Sequence, residues 1–194
     1  QTDNHFWIGR LNGQWKRKLS ADSNMEWKFN VGGWNSHSVF NQNAVNTAVL
    51  PSIQEDSHIQ DRSLNLGGKY TNVMGGGHQW VSGMEAEGVR RTQDIAGVYS
   101  MGNANGSANL QASSMRYALY SQDEWQFTPH WATHLGARYE TLTTEGNTTN
   151  GDVTNRNSVF TPLLHAMWRP DPDSRDQVRM SLTRSFKTPT MPTL

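Results

Sequence analysis

Apolar and polar residues alternate at a period of two along most of this chain. Successive side chains of a strand point to opposite faces, so the alternation predicts strands with one apolar and one polar face. The stretch Tyr117 to Glu140 shows the pattern over two consecutive runs. Tyr117, Leu119, Trp125 and Phe127 alternate with Ala118, Tyr120, Gln122, Glu124 and Gln126. Pro129-His130 intervenes. Trp131, Thr133, Leu135, Ala137 and Tyr139 then alternate with Ala132, His134, Gly136, Arg138 and Glu140. Two such runs around a tight turn predict an antiparallel hairpin.

Six further strands follow from the same reading. They are His5 to Leu19, a run through Met25, Trp27, Phe29 and Val31, His58 to Thr71, His78 to Gln93, Val159 to Arg169, and Gln177 to Lys187. Short turns are expected at Ser20 to Ser23, Gly75 to Gly77, Pro129-His130 and Asp171 to Ser174. Long polar loops are expected at Ser36 to Ser57, Thr92 to Ser114 and Thr143 to Asn157. The predicted fold class is therefore all-β, an antiparallel up-and-down meander of about eight strands whose connections alternate short and long. Trp15, Trp27, Trp80, Trp125, Trp131 and Trp168 all lie within a few residues of a short turn, which puts six of the eight Trp at one level. Short turns on one side, long loops on the other and an aromatic girdle are the pattern of a transmembrane β-barrel.

Composition narrows this picture. Only 35% of residues are hydrophobic and no apolar run reaches 18 residues, so no transmembrane helix is present. A barrel needs none, because its strands cross the membrane with one apolar face each. The formal net charge is zero, which argues against a nucleic-acid binder. Cys is absent, which removes disulfides, thiolate metal sites and a Cys nucleophile. The seven His show no metal-ligand spacing, and no nucleophile elbow or phosphate-loop motif occurs. The expectation is a protein that is not an enzyme, with no cofactor and no metal site. The chain begins at Gln1 without a signal peptide, as a fragment or a processed product would.

Two blocks of sequence carry a family resemblance. The first is Tyr120, Gln122, Asp123, Glu124 and Trp125, then Pro129, then Leu135, Gly136, Arg138 and Tyr139. The second is Phe160-Thr161-Pro162 followed by Arg184-Ser185-Phe186-Lys187-Thr188-Pro189-Thr190. Together they resemble the paired barrel strands of TonB-dependent outer-membrane receptors, most of all the ferric-catecholate and colicin receptors. The likeness covers residues 117 to 194 well and residues 1 to 116 in pattern alone. It implies that residues 1–194 are a segment of a barrel domain of about 22 strands, without the family's plug domain and TonB-contacting box. It also implies the outer membrane of a Gram-negative cell, the inner-membrane TonB complex as partner and energy source, and import of a ferric siderophore or similar anionic chelate.

Strand parity sorts the basic residues that lie near the long loops. Arg91, Arg116 and Lys187 share the polar face and would point into a barrel lumen. Arg62, Arg90 and Arg184 share the apolar face and would meet lipid headgroup phosphates. An anionic aromatic chelate suits Arg beside an aromatic ring, so Arg91, Arg116 and Lys187, with Trp34 or Tyr99 stacking, are the candidate ligand-binding residues. A solvated, salt-bridged pore wall is the competing reading of the same cations. Two rival identities remain at this level: a complete eight-stranded barrel acting as an anchor or adhesin, and a secreted soluble β-protein. The first is disfavoured by Pro189 and Pro192, which cannot donate ladder hydrogen bonds in a closing strand. The second is disfavoured by the loop asymmetry.

Overall fold

A computed structural model describes residues 2–43, 52–99, 104–148 and 151–183. Eight strands make one sheet: β1 (Thr2–Lys18), β2 (Ser23–Gln42), β3 (Ile53–Met74), β4 (His78–Tyr99), β5 (Ala104–Gln126), β6 (Trp131–Thr148), β7 (Gly151–Trp168) and β8 (Val178–Thr183). Their spatial order is their sequence order, and every neighbouring pair is antiparallel. This is the up-and-down meander that the alternation predicts.

The strands are longer than the hydrophobic pattern suggests. Much of Ser36 to Ser57, Thr92 to Ser114 and Thr143 to Asn157 was expected as loop; the structure pairs it instead. β2 and β3 stay in register out to Gln42 opposite Ile53, β4 and β5 out to Tyr99 opposite Ala104, and β6 and β7 out to Thr148 opposite Gly151. The physical reason is that a ladder bonds backbone to backbone. Where both faces of a hairpin meet water, polar side chains leave its hydrogen bonds intact but erase the apolar half of the pattern. The long connections are thus mostly ribbons projecting from the sheet. Residues 184–194, with the expected end of the last strand, lie outside the described residues.

The short turns hold their expected places, each with its own chemistry. Ser20 Oγ accepts hydrogen bonds from the backbone N–H groups of Asp22 and Ser23, at 3.2 and 3.0 Å. Gly76 and Gly77 have φ of 77° and 81°, a left-handed conformation that favours glycine. A Cβ at Gly77 would also overlap the carbonyl oxygen of Gln126. Thr128 Oγ1 accepts from the N–H of Trp131 at 2.9 Å, and Asp171 Oδ1 from that of Asp173 at 3.0 Å.

Burial is inverted with respect to a water-soluble sheet. Among the described residues the buried hydrophobic side chains are Val81, Ala118 and Leu142, and all three sit on the polar face beneath longer polar neighbours. The apolar face is open: Leu119 is 60% exposed, Leu135 61% and Leu182 72%. At its turn end the apolar face carries a continuous aromatic row. His78 stacks on Trp125 at 4.7 Å between ring centres, Trp125 meets Phe127 at 4.9 Å, Phe127 meets Trp131 at 6.5 Å, and Trp131 meets Trp168 at 6.1 Å. Trp15 and Trp27 face each other across β1 and β2 at the same end. Aromatic rings thus gather at the level expected from the Trp spacing, as at a membrane interface.

If the open apolar face is the lipid-facing one, nitroxide labels at Phe29 and Lys28 should differ sharply in bilayers. Power-saturation measurements should find Phe29 accessible to oxygen and Lys28 accessible to a water-soluble relaxant. Equal accessibility at both positions would refute the assignment.

Candidate functional site

Two of the charged groups on the polar face, at different heights, hold the candidate residues. The lower group is built by β4, β5 and β6. Register places Ala118 between Glu85 and Glu140, Arg116 between Glu87 and Leu142, and Tyr120 between Gly83 and Arg138. Ala118 is short and 2% exposed, so longer side chains from both flanking strands close over it. The Tyr120 ring lies across Gly83, where a Cβ would collide with its hydroxyl. Arg138 then reaches over that ring, its guanidinium carbon 5.9 Å from the ring centre.

The result is a lattice of two arginines and three glutamates. Arg138 donates twice to Glu85, from Nη2 at 2.7 Å and Nη1 at 3.3 Å, and also to Glu140 from Nη2 at 3.1 Å. Arg116 donates to Glu87 from Nε at 2.8 Å and pairs with it through Nη2 at 2.6 Å. Its Nη1 lies 3.3 Å from Glu140 and 3.6 Å from Glu85. Three strands are cross-linked by side chains in addition to their ladders, and the lattice carries one net negative charge.

The upper group lies three residues past Leu64, the last apolar outward residue of β3. Arg91 of β4 forms a forked pair with Asp61 of β3, Nε to Oδ1 at 2.7 Å and Nη2 to Oδ2 at 2.6 Å. Trp34 of β2 donates its indole Nε1–H to the same Asp61 Oδ2 at 2.7 Å. Hydrogen bonds from Arg91 hold the Asp61 carboxyl below the usual carboxylate range; burial opposes them, and the bond from Trp34 adds a lesser lowering. The group is a neutral ion pair whose carboxylate also pins an indole ring.

These positions show what became of the candidate ligand-binding residues. Trp34 and Arg91 are brought together, joined through Asp61. Arg116 lies deeper, within the glutamate lattice. Tyr99 stands eight residues beyond Arg91 on β4, opposite Ile53 and Ala104, which is about 26 Å along the strand. Lys187 falls outside the described residues. Arg91 and Arg116 both face the polar side, as parity predicts, and both are paired with carboxylates there. The acidic partners were missed by a reading that sorted the cations alone. Asp61 was within reach of sequence reasoning, because the Gly75–Gly77 turn sets Met74 opposite His78 and hence Asp61 opposite Arg91. The approach of Glu85 and Glu87 to Arg116 was not, because no tight turn sets the β4–β5 register. Among the described residues no group of three or more His, Asp or Glu converges as a metal-ion site would require.

The cross-strand lattice makes a quantitative prediction. A Glu85→Ala and Arg138→Ala double-mutant cycle on the folded sheet should give a coupling energy of about 1 kcal/mol, modest because both side chains are part-exposed. Arg138→Ala alone should destabilise by more than Glu85→Ala, since it leaves three carboxylates to share Arg116. Chemical unfolding followed by tryptophan fluorescence measures both; a coupling near zero would make the lattice incidental.

The geometry has counterparts in known structures. The copper transporter OprC matches with a TM-score of 0.74 at 11% identity, over 98% of this chain and 32% of that one. The ferric-catecholate import receptor Fiu from E. coli K12 matches with a TM-score of 0.64 at 11% identity, over 93% of this chain and 35% of that one. The ferric citrate transporter FecA matches with a TM-score of 0.61 at 12% identity, over 86% of this chain and 26% of that one. At such identities the likeness establishes the fold, and the chain spans about a quarter to a third of the length of these structures. No curated protein matches the sequence. The family of barrels described as TonB dependent receptor-like matches residues 1–194, its members being receptors and transporters of the Gram-negative outer membrane and not enzymes. This chain, an eight-stranded segment of such a barrel, belongs to the TonB-dependent receptor β-barrel family.

Proposed function

We propose that residues 1–194 are a segment of the barrel domain of a longer outer-membrane receptor that imports a ferric siderophore with energy from the inner-membrane TonB complex. In this reading the family's plug domain and TonB-contacting box belong to parts of the protein outside the segment, and the segment supplies wall and part of the binding mouth. Two structural neighbours named as carriers of iron chelates support the substrate class.

The observation that carries the reading is the joined Trp34–Asp61–Arg91 group on the polar face, above the apolar band. Asp61 occupies the Nε and Nη2 donors of Arg91 and so holds the guanidinium flat against the wall. The Nη1 edge is left to meet an anion entering from the ribbon end. The indole of Trp34, held by its own bond to Asp61, offers a ring face to an aromatic chelator. Arg116, neutralised by three glutamates, supports the wall more than it attracts ligand. Tyr99 and Lys187 belong to the outer mouth in this scheme.

The test is ligand binding to the full-length receptor, read by quenching of tryptophan fluorescence with a ferric catecholate at two salt concentrations. Arg91→Ala should weaken binding by about ten-fold, the effect of losing one charge-assisted contact in a part-solvated site. The effect should shrink at high salt. Arg90→Ala, on the opposite face, should leave affinity unchanged. Equal effects from both substitutions would defeat the siting. Binding of copper ions with no binding of any ferric chelate would defeat the substrate class.

A further inference from the structure

Arg62 and Arg90 face each other directly across the β3–β4 ladder. Both are exposed and both lie on the apolar face, immediately past Leu64 and Gly88. Like charges directly opposite on a sheet are destabilising. On the polar face Arg91, Arg116 and Arg138 are each paired with carboxylates. The facing pair on the apolar side is not. Neither Arg62 nor Arg90 has an ion-pair partner among the described residues. Arg62 has Gly33 as its other register neighbour, and Arg90 makes one long contact, from Nη2 to Gln111 Oε1 at 3.5 Å. Beyond Ser113, Glu145 stands two strands from Arg90 and forms no ion pair with it.

A groove of about 510 Å³ runs beneath the two arginines. Val31, Leu64 and Met115 line it with apolar surface, Met115 lying over Gly88, and Glu145 stands at its edge. The site thus joins two unneutralised guanidiniums to an apolar channel, at the level where the outward residues change from apolar to polar. A soluble anion would satisfy the charges and leave the channel open. A phosphate attached to an acyl chain satisfies both.

We propose that the Arg62–Arg90 pair binds the phosphate of a membrane lipid in the leaflet at the ribbon end, with one of its acyl chains lying in the groove below. Guanidinium forks from two strands accept one phosphate between them, which converts a repulsive cross-strand pair into a bridged one. The inference requires the apolar face to meet lipid. It is independent of what the receptor transports, so failure of the siderophore assay leaves it standing.

The experiment uses the full-length protein in zwitterionic detergent micelles, with and without added phosphatidic acid. Thermal midpoints and the association of spin-labelled phosphatidic acid relative to phosphatidylcholine are measured for the wild type, Arg62→Gln, Arg90→Gln and the double variant. Each single substitution should raise the midpoint in the plain detergent, because a repulsion is relieved, and lower it when phosphatidic acid is present. The double variant should lose about ten-fold of the preference for the phosphate lipid. Arg156→Gln, which removes a lone exposed cation on the same face, should show no inversion of sign. A shift of the same sign in both micelles would overturn the proposal. So would full stabilisation of the wild type by inorganic phosphate alone, or an Arg156→Gln effect equal to that of the pair.

Discussion

Strands β2 to β7 each exchange backbone hydrogen bonds with a neighbour on both sides, and that pairing holds together a sheet with almost no hydrophobic core. In a soluble sandwich the same strands would need a second layer to cover their apolar faces. Here the apolar faces of all eight strands point the same way and stay open. Such a surface is stable where the surroundings are apolar, and an apolar medium in turn demands that every backbone N–H and C=O be paired within the protein. A continuous antiparallel ladder meets that demand. The family's closed barrel completes it, since closure alone removes the edges at β1 and β8.

The two faces then obey different electrostatic rules. On the polar face, arginines and glutamates from strands β4 to β6 knit into a lattice over Ala118, and Arg91 is bound by Asp61. Partly desolvating charges on this wall costs free energy, which the opposite charges beside them offset. On the apolar face Arg62 and Arg90, just past the end of the hydrophobic band, have no ion-pair partner among the described residues. The contrast between Arg91 and its neighbour Arg90, one residue apart and on opposite faces, shows how strand parity divides the same side chain between two tasks.

The expectation of a cationic ligand mouth named the cations without their partners. Parity correctly put Arg91 and Arg116 on the polar face, but parity is silent on what stands across the ladder. Arg91 and Trp34 became one unit because a third residue, Asp61, bonds both. Arg116 became part of a wall because Glu87, Glu85 and Glu140 converge on it. The height of the group also changed. The ribbons continue well beyond Arg91, so this group lies below their tips and not at a loop tip.

Alternation along the chain determined by itself which elements form, which way each side chain points and where the four tight turns fall, because a period of two and turn residues such as Gly76, Gly77 and Ser20 act locally. It also determined the aromatic level, since Trp positions relative to turns are read along one strand at a time. Tertiary structure decided the length of the ribbons, where polar side chains hide a ladder that backbone atoms sustain. It decided the partners of every charge too, because an ion pair between β4 and β6 depends on the register of two separate ladders. Glu85 and Arg138 are 53 residues apart in sequence and meet over a tyrosine and an alanine of the strand between them. A single strand's pattern holds no record of that meeting; the stacking of strands creates it.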